Sequence, residues 1–419
     1  MESLHTLEKI TKDLKLLICS FLDVKDIMNI VSSARIFTLL LNEETLWRDQ
    51  IKNYVPINLI TELEVPNGSA RDNFRAIYKT YTQIRKWLEG ILNKIAHDDF
   101  RGFLEDNYWN NKISRREVET TIIDHYQKIP LEYYILYRFL NGQEALKESL
   151  PDEVALFGGF TYYDRLFDFP FLPLRKPENH PILQKFNLHT ISIPTYINTI
   201  KVFVDFNNVF GKGRGTLCSF IGRRLEKGKE QYRIFIMKRN ISTWLHDLQF
   251  ATFSEEKGLL DHFDTLYHPQ SDITTRGIRV RNDSIYSIWD HGYNGNLFTY
   301  QIRISANGVQ GRWKLTTRHW IISDGGESHE VKGSGVIGFY PEIYEGCEDF
   351  CYESCSPIQG LSGSMKGFFY FRNMDSSEEI AVEVGEMKFE FPSGCALIDF
   401  CPEDRSVTTL YDKLSENRH

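Results

Sequence analysis

The chain has 419 residues, 42% of them hydrophobic and 25% charged, with a formal net charge of −8. A chain of this length outgrows one compact core, so two or three domains of an ordinary water-soluble protein are expected. The acidic balance argues against nucleic acid as the main partner, because phosphate recognition needs a basic face.

The N-terminus, "MESLHTLEKI", is mixed and charged and does not read as a signal peptide. Apolar runs such as Ile36–Leu41 are far too short to cross a bilayer, so no membrane association is expected. Seven irregularly spaced cysteines make no disulfide framework, which points to a reducing compartment, cytoplasmic or nuclear.

Residues 1–55 read as helices. Ile10, Leu14, Leu17, Ile18 and Phe21 recur at helical spacing and form one apolar stripe. A unit this small buries little on its own, so the stripe is expected to complete its core on a partner. Residues 56–80 contain two prolines and the turn signal Asn67-Gly68 and read as a linker.

Residues 81–262 mix two periodicities. "YTQIRKWLEGILNKI" and "PLEYYILYRFLNG" are helical, the second stopping at Asn141-Gly142. "IKVFVDFNNVFGKGRGTLCSFIG" reads as strand, turn, strand; "YRIFIMKR" is a strand, and "NISTWLHDLQFATFSEEKG" a helix. Together they make an α+β pattern.

From residue 276 to 391 the pattern becomes strict alternation. Phe298, Tyr300, Ile302 and Ile304 share one face; Ile380, Val382 and Val384 share another, followed by Met387, Phe389 and Phe391. Half-buried antiparallel strands repeated in this way predict a β-sandwich. The tail from about 393 is short and polar and is expected to be partly disordered.

One stretch has the form G-x-G-x-x-G: Gly333, Gly335 and Gly338 in "VKGSGVIGFYP". A dinucleotide site needs a helix directly after those glycines. Pro341 and Gly346 leave no room for one, so a tight turn needing positive φ is the better reading.

Three resemblances organise these elements. "LFTYQIRI", "RHWIISDGG", "VKGSGVIGFYP", "FCYESCSP" and "GSMKGFFYF", in this order and spacing, resemble the ApaG domain. That resemblance implies a fibronectin-III-like sandwich and a glycine loop able to hold a pyrophosphate-like anion, here Gly333, Gly335 and Gly338. "FLDVKD", "VSSARIF" and "LWR" resemble an F-box, with Ile10-Thr11 where that family has leucine-proline. An F-box implies docking on Skp1 through Ile10, Leu14, Leu17, Ile18, Phe21 and Leu22. "WLEGIL", "IPLEYYILYRFLNG" and "ISTWLHDL" resemble, more weakly, the Smi1/Knr4 domain, an α+β interaction module.

The order of the three resembles the F-box only protein three family. It implies a multidomain chain: a small all-α F-box over 1–55, a linker over 56–80 and an α+β Smi1/Knr4-like domain over 81–262. An all-β ApaG sandwich over 271–395 and a C-terminal tail over 396–419 complete it. The function implied is that of a non-catalytic substrate receptor of a Skp1–cullin–F-box ubiquitin ligase. It would reach cullin and the RING subunit through Skp1 and capture an unidentified protein substrate. The alternative is a small-anion or nucleotide sensor using the ApaG loop.

Other motifs read as structural. Cys347, Cys351 and Cys355 lie four apart in an extended region with no second ligand pair for zinc; Cys395 and Cys401 are a loose candidate at best. Gly211–Gly215, "GKGRG", lacks Walker spacing and sits between strands. His319 has no nucleophile or carboxylate placed beside it by sequence, and Trp289–Gly292 is a loop. No catalytic residue, metal or cofactor is expected.

Overall fold

The structure, a computed structural model, describes residues 16, 24–33, 40–55, 68–95, 119–121, 129–140, 142, 156–162, 165–172, 174, 180–192, 201–226, 229–254, 259–287 and 296–413. Its helices are α1 (Val24–Ser33), α2 (Glu44–Lys52), α3 (Ala70–Ile95), α4 (Leu131–Phe139), α5 (Pro181–Phe186) and α6 (Ile241–Phe250). Among the described residues no helix is long and apolar enough to cross a membrane.

The long helix α3 starts inside the stretch expected to be linker. Ser69 caps it: its hydroxyl accepts from the Asp72 amide at 3.2 Å. Phe74 and Ile77 begin the buried stripe that continues through Ile84, Leu88 and Ile91, so residues 70–80 are helix rather than connector. Helix α2 packs on the same core. The Trp47 and Phe74 rings lie 5.1 Å apart, and the Ala70 amide donates to Glu44 Oε2 at 2.7 Å. The last helix of the 1–55 segment is thus joined directly to the middle unit.

Further along α3, Lys94 Nζ donates to the Ala251 carbonyl at the end of α6 at 2.5 Å. Asn240 caps α6, its Oδ1 accepting from the Thr243 amide at 2.9 Å. Helix α4 is buried on nearly every side, from Leu131 to Tyr137. Its Tyr133 and Tyr137 hydroxyls find partners in the Gly215 carbonyl, at 2.8 Å, and His189 Nε2, at 2.5 Å. Those contacts offset the desolvation of two phenols in a core.

Two sheets belong to this middle unit. The smaller joins β1 (Gly159–Tyr162), β2 (Arg165–Asp168), β7 (Thr252–Ser254) and β8 (Leu259–Asp261) in the order β2-β1-β8-β7. The larger holds β3 (His189–Ser192), β4 (Val202–Asp205), β5 (Thr216–Glu226) and β6 (Lys229–Lys238). It also holds β18 (Ala396–Cys401) and β19 (Ser406–Asp412), in the order β19-β18-β6-β5-β4-β3.

The expectation of a partly disordered tail is therefore corrected over 396–412. Ala396, Leu397, Ile398 and Phe400 are buried, and β18 pairs antiparallel with β6 from Ala396↔Ile236 to Phe400↔Tyr232. The segment is short but not polar where it matters: "ALIDFC" supplies the apolar face that β6 needs.

Between β8 and β18 the chain makes the sandwich. One sheet is β15 (Phe350–Ile358), β11 (Asn296–Ala306), β10 (Ile278–Tyr286) and β9 (Ser271–Thr275), in that order. The other is β13 (Glu327–Ser334), β12 (Trp313–Asp324), β16 (Ser362–Asn373) and β17 (Glu379–Glu390), with β14 (Glu342–Ile343) beside β12. Alternation in β17 changes phase at Gly385 because the strand carries one extra residue there: Val384 pairs with Gly367, and Met387 with Met365. Six apolar side chains, Ile380 to Phe391, therefore stay on the inner face across the bulge.

Candidate functional site

The residues expected to contact Skp1, Ile10, Leu14, Leu17, Ile18, Phe21 and Leu22, lie outside the described residues, as does the Trp289–Gly292 loop.

The glycine-rich stretch is the tip beyond β13. Val336 and Phe339 exchange two backbone hydrogen bonds, 2.9 and 2.8 Å, across Ile337 and Gly338. Both central residues are left-handed, with φ of 47° and 79°, the geometry of a type I′ turn. Glycine is the usual second residue of such a turn; the β-branched Ile337 holds its φ under strain.

Gly335 has φ 57°, and a Cβ there would stand 2.5 Å from the Phe339 carbonyl oxygen. Gly333 has no such φ, but its Cβ would press on the Arg318 guanidinium at 3.0 Å. Gly338 faces open space and is required only for its φ of 79°.

The polar groups of this tip are largely engaged with each other. The amides of Gly335, Val336 and Phe339 donate to the carbonyls of Thr316, Phe339 and Val336. Arg318 Nη1 donates to the Gly335 carbonyl at 2.7 Å and the Ser334 carbonyl at 3.2 Å. The nearest guanidinium therefore closes the loop on itself. Around it Phe339, Tyr340 and Tyr344 are 60%, 46% and 42% exposed. Arg312 stacks over Tyr344, its Cζ 5.2 Å from the ring centre.

The remaining motifs lie elsewhere in the fold. Gly211–Gly215 turns between β4 and β5. Asp205, fully buried, accepts from the Val209 and Phe210 amides at 2.9 Å each. Burial raises its carboxyl pKa, and those hydrogen bonds oppose the rise. His319 does have a carboxylate beside it: Nε2 lies 2.8 Å from Glu330 Oε2 on the neighbouring strand. That partner sits eleven residues away across a hairpin, which local spacing does not reveal.

Cys351 and Cys355 lie on β15. Burial pushes the Cys395 thiol up to about 12, so it is inert at neutral pH. Among the described residues no three of His, Cys, Asp and Glu converge to hold a metal.

A two-sheet antiparallel sandwich with a glycine-tipped hairpin, set into a larger α+β body, defines the class of protein. The ApaG domain family model matches residues 291–373, inside that sandwich. The ApaG protein of Bdellovibrio bacteriovorus is 37% identical over 119 residues, covering 28% of this chain and 87% of that one. The chain belongs to the ApaG family. Along most of its length it is also similar to F-box only protein 3 of Rattus norvegicus, 25% identical over 393 residues, covering 88% of this chain and 78% of that protein. F-box protein SKIP16 of Arabidopsis thaliana is 24% identical over 400 residues, covering 84% of this chain and 91% of its own.

Proposed function

We propose that the chain is the substrate-recognition subunit of a Skp1–cullin–F-box ubiquitin ligase and has no catalytic chemistry of its own. The observation that carries the reading is similarity along most of the chain, 88% and 84% of it, to two proteins named as F-box proteins. Residues 1–55 would hold Skp1 through Leu14, Leu17, Ile18 and their neighbours, and through it cullin and the RING subunit. The middle unit, read as a Smi1/Knr4-like module, and the ApaG sandwich would present the target.

Such a receptor works by proximity, raising the target's effective concentration beside the ubiquitin thioester. That mechanism favours a stiff body. Helix α2 shares a core with α3, and β18 ties the end of the sandwich back into the middle sheet, which suits the role. The work would be done in the cytoplasm or nucleus.

The loop formed by Gly333, Gly335 and Gly338 reads as a turn rather than an anion sensor, because three of its amides and Arg318 are already engaged with backbone carbonyls. The test of the receptor reading is the double substitution Leu17→Asp/Ile18→Asp in the full chain. Two buried charges should abolish Skp1 capture in a pull-down while leaving the thermal unfolding transition in place. Capture at the parental level would overturn the reading.

A further inference from the structure

Three cavities adjoin one another, the first at the junction of the middle unit and the sandwich and the other two continuing from it over the sandwich. The largest, about 470 Å³, lies between β6, α6, β10 and the chain leaving β17. Phe235, Met237, Trp244, Leu248 and Tyr286 line it, and Phe250, 63% exposed, stands at its mouth. Ser284 and Glu390 line both this chamber and the next, of about 300 Å³, which adds Gln270, Glu386 and Lys388. Glu386, Lys388 and Glu390 recur in the third, of about 410 Å³, which reaches the Gly325-Gly326 turn.

The result is one apolar chamber opening into a polar trough floored by the outward side chains of β17. Those side chains alternate with the buried Met387 and Phe389, so Glu386, Lys388 and Glu390 point the same way, about 7 Å apart.

The chemistry of the two parts differs. The chamber is aromatic and aliphatic and of the size that takes one bulky side chain or a small ring system. On its rim Lys238 and Asp247 pair with each other, Nζ lying 2.6 Å from Oδ2. The trough carries two carboxylates to one ammonium, and Glu390 has no ion-pair partner among the described residues. An apolar anchor pocket continued by a linear acidic trough matches an extended peptide better than a compact ligand.

We propose that this groove binds an extended segment of a partner protein. The segment would bear a large apolar side chain seated against Trp244 and Tyr286, followed within about four residues by Lys or Arg over Glu390 and Glu386. The proposal rests on the receptor reading for its place in ubiquitination, where the groove would hold the target, but not for the binding itself.

The test is selection of a phage-displayed random peptide library on the full-length chain, followed by fluorescence anisotropy with labelled synthetic copies of the enriched peptides. Enriched sequences should carry Trp, Phe, Leu or Met followed by Lys or Arg. Phe250→Glu and Glu390→Lys change exposed side chains, and each should weaken binding at least about tenfold with thermal unfolding unchanged. A peptide whose basic residue is changed to Glu should lose binding to the parent and regain it with Glu390→Lys. An absence of enrichment, a consensus without the apolar-basic pair, or binding indifferent to both substitutions would overturn the proposal. The Leu17→Asp/Ile18→Asp chain separates the two readings. In that chain, peptide binding retained while Skp1 capture is lost supports both readings. Peptide binding with Skp1 capture at the parental level overturns the receptor reading alone, and lost capture in a chain whose parent enriches no peptide sinks the groove alone.

Discussion

Lys212 Nζ lies 2.5 Å from Asp412 Oδ2, an ion pair between residues 200 positions apart. It joins the "GKGRG" turn to β19, the last strand among the described residues, so a lysine otherwise suited to cradle a phosphate is engaged with a carboxylate of that strand. The pair marks the place where the chain returns to its middle unit, but it does not hold the return. An ion pair at the surface contributes at most about 1 kcal/mol, whereas a buried phenylalanine truncated to alanine costs about 3–5 kcal/mol. Phe400 is fully buried, its ring 5.2 Å from Phe186 and 5.0 Å from Phe210. Phe400→Ala should therefore shift the urea midpoint of the full chain far more than Lys212→Ala. Equal small shifts in the two variants would show that β18 is peripheral.

Gly335 and Gly338 make a matched pair for the loop. Both have positive φ, but only Gly335 also has a carbonyl where a Cβ would stand. Gly338→Ala should cost about 1 kcal/mol through its backbone conformation alone. Gly335→Ala should cost clearly more, read as a larger fall in melting temperature of the full chain. Sodium pyrophosphate should give no greater stabilisation than chloride of equal ionic strength, because a ligand would raise stability with its concentration. A pyrophosphate-specific rise in melting temperature, lost in Gly335→Ala, would promote the anion-sensing alternative.

These two cases show what was legible in the sequence. Local signals read true: alternation in β11 and β17 announced the sandwich, and Pro341 ruled out the helix a dinucleotide site needs. Even the phase change from Val384 to Met387 was visible as pattern, although the bulge that causes it was not. What depended on distant partners was hidden. Thr299 and Gln301, on the face of β11 expected to meet water, are 1% and 2% exposed because the middle unit covers them. The docking of β18 on β6, the approach of Glu330 to His319 and the assembly of the groove from β6, α6, β10 and β17 likewise need the third dimension.

Asp272 and Arg279 pair across β9 and β10, Oδ1 accepting from Nε at 2.7 Å. Hydrogen bonding to that guanidinium lowers the Asp272 pKa, the larger cause, with its charge contributing further. A carboxyl lowered in the folded state contributes stability above its unfolded pKa, about 3.9, and loses it as pH falls through the folded value. Both side chains are more than a third exposed, so the contribution is small, under about 1 kcal/mol after solvent screening. Asp272→Asn should be slightly less stable than the parent at pH 7, and the gap should close as the solution is acidified below pH ~4. A gap that widened on acidification would contradict the assignment.

Gln301 is the sharpest test of how the sandwich and the middle unit are coupled. From β11 its Nε2 donates to Glu353 Oε1 at 2.8 Å on β15 and to Asp261 Oδ2 at 3.2 Å at the end of β8. Its Oε1 accepts from the Thr265 hydroxyl. All four residues are buried, at 2%, 6%, 7% and 1% exposure. The amide is suited to the place because it donates to two carboxylates and accepts from a hydroxyl at once, which no apolar side chain of similar volume can do. Gln301→Leu would leave the two carboxylates and the hydroxyl facing hydrocarbon, at a cost of about 2–4 kcal/mol. Gln301→Glu would set a third carboxylate among them; it should be at least as destabilising at pH 7 and should recover stability as pH falls and a proton is taken up. Urea unfolding at pH 7 and pH 5 reads both effects. Should Gln301→Leu unfold within about 0.5 kcal/mol of the parent, as a surface substitution does, the buried network does not hold the two units together.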